Sequence, residues 1–146
     1  MGIVTYFLNV EIHSKGLLMQ TLSKTEFAEY ISEIALSVYD FHERFNIPKV
    51  YSTSNPEFGL NILRDRLILL NEEIGEQAWE INRGRFEQAV VESADVAFIA
   101  LGTLCSLGQL AKTAAISVKN NNDSKTTSTH HLDSRSGKLI KTKKQS

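Results

Sequence analysis

Three glutamates, Glu72, Glu73 and Glu76, come directly after the apolar run Leu67–Leu70. A second apolar stretch carries Glu92 and Asp95. At helical spacing Glu72 and Glu76 are four apart, and Glu73 and Glu76 three apart, so all three leave one flank of a helix. Glu92 and Asp95 are likewise three apart. Glu73 lies beside Leu70 and Ile74, and Asp95 is bracketed by Val91 and Phe98, so both stand at the margin of an apolar face. Packed helices run roughly 8–10 Å apart, so carboxylates facing each other across two such helices can share an ion. Oxygen-only ligands select a hard ion, Mg²⁺ or Mn²⁺, over zinc.

The ordinary reading of paired glutamates is a solvated helix face. Two physical points weaken it here. A carboxylate beside buried apolar side chains is costly unless paired or metal-bound. The nearby cations are Arg64, Arg66, Arg83 and Arg85, most of them a turn or more away. Arg66 can orient an acidic ligand or pair along its own helix near Asp65 and Glu73; the sequence favours neither.

These acids need elements to hold them, and the pattern supplies helices. The first predicted helix starts near Ser23, where Ser23 and Glu26 fit a capping box. Phe27, Tyr30, Ile31, Ile34, Val38, Phe41 and Phe45 recur at helical spacing and predict one buried face. Asn46-Ile-Pro48 ends it, and a polar loop, 49–55, comes next. Asn55-Pro56 is an N-cap with proline at the first helical position. The second helix runs to Asn82, before Gly84, or about 40 Å. Its stripe is Leu60, Leu63, Leu67, Leu70, Ile74, Ala78 and Ile81. A third helix is expected from about Arg85 to Leu107, with Gly108 as its stop. Its stripe is Val90, Ala94, Ala97, Leu101 and Leu104; Ala89, Ala94, Ala97 and Ala100 allow close approach of a neighbour. A short fourth helix spans about Gln109 to Asn121.

The ends differ. Residues 1–20 form an N-terminal extension. Ile3–Ile12 reads as a strand needing a partner, or as a segment outside the main fold. Residues 21–123 are the helical bundle that carries the acidic site. Residues 124–146 form a basic arm without periodicity, ordered only when something binds it.

The chain has 146 residues, 42% hydrophobic and 23% charged, with net charge −1. That suits one domain with a core and excludes a global basic field for nucleic acid. Cys105 is the only cysteine; it reads as a small core residue in a reducing compartment. No apolar run is expected to approach the roughly 20 residues that span a bilayer, and no secretory signal is recognised. A cytoplasmic protein without membrane or nucleic-acid partners is expected.

With these residues in view, the chain resembles a family. Glu72-Glu-Ile-Gly-Glu76, and after a gap Glu92-Ser-Ala-Asp95, is similar to the metal-binding pattern of the all-α nucleoside triphosphate pyrophosphatases. That superfamily holds MazG proteins, dimeric dUTPases and phosphoribosyl-ATP pyrophosphohydrolases. Phe41-His-Glu-Arg-Phe-Asn-Ile-Pro48 resembles the end of the family's first helix. Arg66 precedes the acids as in many members. Val118-Lys-Asn-Asn-Asn-Asp-Ser-Lys125 resembles the segment after its last helix, and Gly137-Lys138 with Lys141 resembles a phosphate-contacting tail. The likeness covers about Ser23 to Lys141.

The resemblance implies an all-α four-helix bundle of the MazG-like type, assembling as a dimer or a dimer of dimers. It implies a Mg²⁺-dependent enzyme, with Mn²⁺ as an alternative ion, that cleaves a (deoxy)nucleoside triphosphate to the monophosphate and pyrophosphate, as house-cleaning of non-canonical or surplus nucleotides. Glu72, Glu73, Glu76, Glu92 and Asp95 would hold metal, with Glu73 also the general base. Lys125, Lys138 and Lys141 would neutralise polyphosphate, and Asn122 would contact sugar or phosphate. His42 and Trp79 can reach a nucleobase, although packing is the commoner use of each. Alternatives are phosphoribosyl-ATP hydrolysis and a non-catalytic helical module that binds nucleotide or metal.

Overall fold

The computed structural model describes residues 21–51 and 55–142. The readings of 1–20 lie outside the described residues. The chain divides into two units, Met1–Glu33 and Ile34–Ser146, with the boundary inside the first helix.

Helix α1 spans Lys24–Arg44. Its start is the reciprocal capping box that Ser23 and Glu26 predict. The Ser23 N–H donates to Glu26 Oε2 at 2.8 Å, and the Glu26 N–H donates to Ser23 Oγ at 3.2 Å. The chain leaves α1 through Asn46, whose φ of 49° turns it out of the helix, and the Ile47 N–H closes back on the His42 carbonyl at 3.0 Å.

Helix α2 spans Pro56–Asn82. Asn55 caps it by accepting from the Phe58 N–H at 2.8 Å, with proline in the first turn where no donor is needed. Gly84, with φ +70°, ends it.

Helix α3 spans Phe86–Asp123 and is broken inside by Gly108, at φ 55° and ψ −127°. The stop at Gly108 and the short helix expected after it are both present: regular geometry ends at Gly108, and a second helical stretch runs on from it to Asp123, so α3 is two helices joined across a kink. The carbonyl freed at the break is used: Ser106 O accepts from the Val50 N–H at 2.8 Å. The loop after α1 is thereby strapped across the kink.

The expected irregular arm is corrected. His130–Leu132 and Leu139–Lys141 form a two-stranded antiparallel hairpin, with His130 opposite Lys141 and Leu132 opposite Leu139. Its turn is local chemistry that needs no ligand. Asp133 accepts from the Ser136 N–H and hydroxyl, and Gly137 takes φ 66°.

The apolar stripes are present but mostly uncovered within one chain. Among the described residues the buried apolar side chains are Val38, Ile62, Ala89 and Ala111. On α1, Phe41 packs edge-on against Phe98 of α3, with centroids 5.7 Å apart, yet Phe45 remains exposed. On α2, Leu60, Leu67 and Ile81 are about half exposed. A single copy therefore does not bury the faces that the periodicity marks as core.

Helix α3 also meets, by length and composition, the criterion for a membrane-crossing helix, with mean hydropathy 1.6 over 18 residues. The expectation that no such run exists is thus corrected. No charged residue falls between Asp95 and Lys112. The core helix of a soluble protein can meet the same criterion.

Polar side chains occupy the centre where α1, α2 and α3 meet. His42, Arg66 and Ser106 are all buried, His42 to 1% exposure. The hydroxyl of Ser106 lies 3.5 Å from His42 Nδ1. Burial holds the His42 pKa below its ordinary 6.5, and the Arg66 and Lys49 charges push the same way against the weaker pull of Glu43. Above pH 6.5 the imidazole is neutral folded or unfolded. Below it the unfolded chain takes up a proton that the native site resists, so stability falls as pH falls. His42→Gln is therefore expected to flatten the acid limb of the melting temperature measured in EDTA. Equal slopes for variant and wild type below pH 6.5 would sink this assignment.

Candidate metal centre

Helices α2 and α3 run against each other in opposite directions, and their contacts keep one register. Arg66 reaches Ile99 and Thr103, Glu73 faces Glu92 and Asp95, and Gln77 donates to Ser93 Oγ at 2.6 Å. The acids stand between the two hydrogen-bonded crossings. Glu73, Glu92 and Asp95 each offer a carboxylate oxygen, and the three oxygens lie within 4.8 Å of one another. These are the side chains positioned to share one cation.

The electrostatics match the geometry. Burial, and after it the charges of Asp95, Glu76, Glu92 and Glu72, together push the Glu73 carboxyl up from 4.5 to about 7. Glu92 is raised by burial, then by the charges of Glu76, Asp95 and Glu80 and a hydrogen bond with Glu76. Asp95 is raised by burial. Among the described residues, every charge that shifts Glu73 is another acid.

The four nearby arginines are engaged elsewhere. Arg64 donates to Asn61 at 2.6 Å, and Arg83 lies over the Trp79 ring at 4.1 Å. Arg85 pairs with Glu80 at 3.4 Å. Arg66 takes neither role left open by the sequence. Its guanidinium donates to the Ile99 carbonyl at 2.9 Å and to Thr103 Oγ1 at 3.4 Å, both on α3.

The five sequence-marked acids do not all converge. Glu72 and Glu76 are exposed and line an open groove beside the cluster, together with Trp79, Glu80 and Glu92. The reason is angular: Glu73 of the three points between Glu92 and Asp95, while Glu76 reaches Glu92 from the groove side and Glu72 is exposed.

The other marked residues form separate groups. Lys125 donates to Asn122 Oδ1 at 2.7 Å, next to the end of α3. Lys138 and Lys141 are exposed on the hairpin. None of these lysines is among the charges that shift the three carboxyls. His42 points into the core, and Cys105 is half-buried.

Gly102 escaped the sequence reading. A Cβ there would lie 2.4 Å from the Arg66 guanidinium and 2.8 Å from His42 Nε2. The signal was a glycine inside an otherwise strong helical run, which often marks a close approach. Comparison of the chain with protein-family models, with curated proteins and with solved structures finds no match.

Proposed function

We propose that this chain is a Mg²⁺-dependent nucleoside triphosphate pyrophosphohydrolase of the all-α, MazG-like kind. The observation that supports it most is the convergence of Glu73, Glu92 and Asp95 with no basic partner among the described residues. Three carboxylates held this close repel one another, and an all-oxygen donor set suits Mg²⁺ or Mn²⁺. The likeness of the acidic pattern and the tail to that superfamily supplies the reaction class.

In this reading Glu73, Glu92 and Asp95 hold the cation, and Glu72 and Glu76 extend the set along the groove. When bound, the ion supplies charge neutralisation at the phosphate oxygens and acidifies a water. Glu73, the innermost carboxylate of α2 in the cluster, is assigned to take the proton from that water. Lys125, Lys138 and Lys141 offer positive charge to the polyphosphate, and Asn122 offers an amide. The products are the nucleoside monophosphate and pyrophosphate.

The test is pyrophosphate release from a panel of canonical and damaged nucleoside triphosphates, with Mg²⁺ and then with EDTA. Metal-dependent release with monophosphate as co-product is the expected result. Activity on phosphoribosyl-ATP alone would narrow the substrate to that compound. Folded protein that binds nucleotide but releases nothing would replace the enzyme by a binding module.

The same reading counts the two halves of α3 as separate helices of a four-helix bundle and completes it with a second copy. The uncovered stripe of Leu60, Leu63, Leu67, Ile74 and Ile81 supports self-association, because a monomer rarely exposes so continuous an apolar face. Sedimentation at micromolar concentration is expected to show a dimer or tetramer; a monomer there would remove the assembly from the reading.

A further inference from the structure

We propose that Arg66, seated in the notch at Gly102, is a positioning residue that sets the register of α2 on α3 and so the spacing of the three carboxylates. The inference rests on the reading of Glu73, Glu92 and Asp95 as a metal centre.

Arg66 is 8% exposed. A buried guanidinium is costly unless its donors are met. Here they are met by backbone and hydroxyl rather than by a carboxylate. The Ile99 carbonyl accepts from Arg66 at 2.9 Å, and Thr103 Oγ1 accepts at 3.4 Å while donating to the same carbonyl at 2.9 Å. An apolar side chain could fill the space at lower cost. What the guanidinium adds is direction. Two bonds from one rigid plane to two atoms of α3 resist both sliding and rotation of the helices.

The placement ties this crossing to the acids. Arg66 precedes Glu73 by two helical turns on the same face, about 10 Å along the axis. Ile99 lies one turn beyond Asp95 on α3. Any slip at the Arg66 crossing is therefore carried by rigid helix to the carboxylates. Gly102 is the other half of the device. A Cβ there would sit 2.4 Å from the guanidinium, so Arg66 can hold its place against Ile99 and Thr103 only because position 102 has no side chain. Ligand sets tolerate errors of only about 0.5 Å, so a small displacement matters.

The experiment measures Mn²⁺ binding by titration, with free Mn²⁺ read by electron paramagnetic resonance, and thermal melting alongside. Arg66→Gln and Gly102→Ala are each expected to weaken Mn²⁺ binding by about 10–100-fold, the range for residues that orient metal ligands. Arg66→Lys, with charge but no fork, is expected to fall between. Arg66→Gln with Gly102→Ala should be no weaker than Arg66→Gln alone, because both changes disable one crossing. Ile62→Ala, a core truncation, should lower the melting temperature while leaving Mn²⁺ affinity within about twofold of wild type.

Wild-type affinity in Arg66→Gln, or equal weakening by Ile62→Ala, would overturn the positioning role and leave the metal centre standing. If Arg66→Gln does not fold, Gly102→Ala and Arg66→Lys decide the matter in the same way. Absence of Mn²⁺ binding in the wild-type protein would remove the metal centre itself, and this inference with it.

Discussion

Glu73→Gln is expected to lower Mg²⁺-dependent pyrophosphate release by about 10²–10⁴-fold, the range for loss of a positioned general base. It should also raise the melting temperature in EDTA. The two effects share one cause. Glu73 sits among Asp95, Glu76, Glu92 and Glu72, all of which oppose its ionisation, and its surroundings are partly desolvated. Glutamine keeps the shape and removes the charge. The metal-free fold is relieved of repulsion while the proton acceptor is lost. Opposite signs in activity and stability separate a functional carboxylate from a structural one, whose loss would lower both. Activity within threefold of wild type at saturating Mg²⁺ would take the base role from Glu73. A lowered melting temperature would show that its carboxylate is needed by the fold.

Mg²⁺ should stabilise the protein, and more so as pH rises. The sign comes from the raised carboxyl pKa of Glu73. Below about 4.5 this group is protonated in folded and unfolded chains alike and contributes nothing. Between 4.5 and about 7 the unfolded chain has lost the proton and the native cluster still holds it. Metal-free stability therefore falls through that window. Glu92 and Asp95 are shifted the same way and add to the slope. A divalent ion favours the ionised cluster and reverses the trend. At one hundred times its dissociation constant a ligand contributes about 2.7 kcal/mol, or roughly 5–10 °C for a chain of this length. The expected result is a shift of that size at pH 8 and a much smaller one at pH 5, by differential scanning fluorimetry. A melting temperature indifferent to Mg²⁺ at pH 8 would argue that the acids do not form a metal site.

Much of the local structure could be read directly. Ser23 with Glu26, Asn55 with Pro56, and Gly84 mark helix ends because a cap is chemistry between residues three or four apart, and such chemistry needs no distant partner. Gly108 was legible as a break for the same reason, and so was the helical run that resumes at Gln109; the strap of Val50 across the break was not. Whether a chain stops or kinks at a glycine depends on which group meets the freed carbonyl, here Val50 from a loop far away in sequence. The hairpin at 130–141 was missed because its strands are too short to show alternation, although Asp133 and Gly137 carried its turn.

The candidate site divides along the same line. Residue types and spacing alone marked Glu72, Glu73, Glu76, Glu92 and Asp95 as a group with an affinity for hard cations. Only the packing of α2 on α3 decided that Glu73, Glu92 and Asp95 meet while Glu72 and Glu76 face the groove. Spacing along a helix sets the angle between side chains to within tens of degrees. Which angle points at the neighbour is set by the crossing, and the crossing by contacts such as Arg66 in the notch at Gly102. Those contacts join residues more than thirty positions apart in the chain. No local pattern encodes them, so the sequence by itself determined the helices and the acids, and the tertiary structure decided which acids form a site.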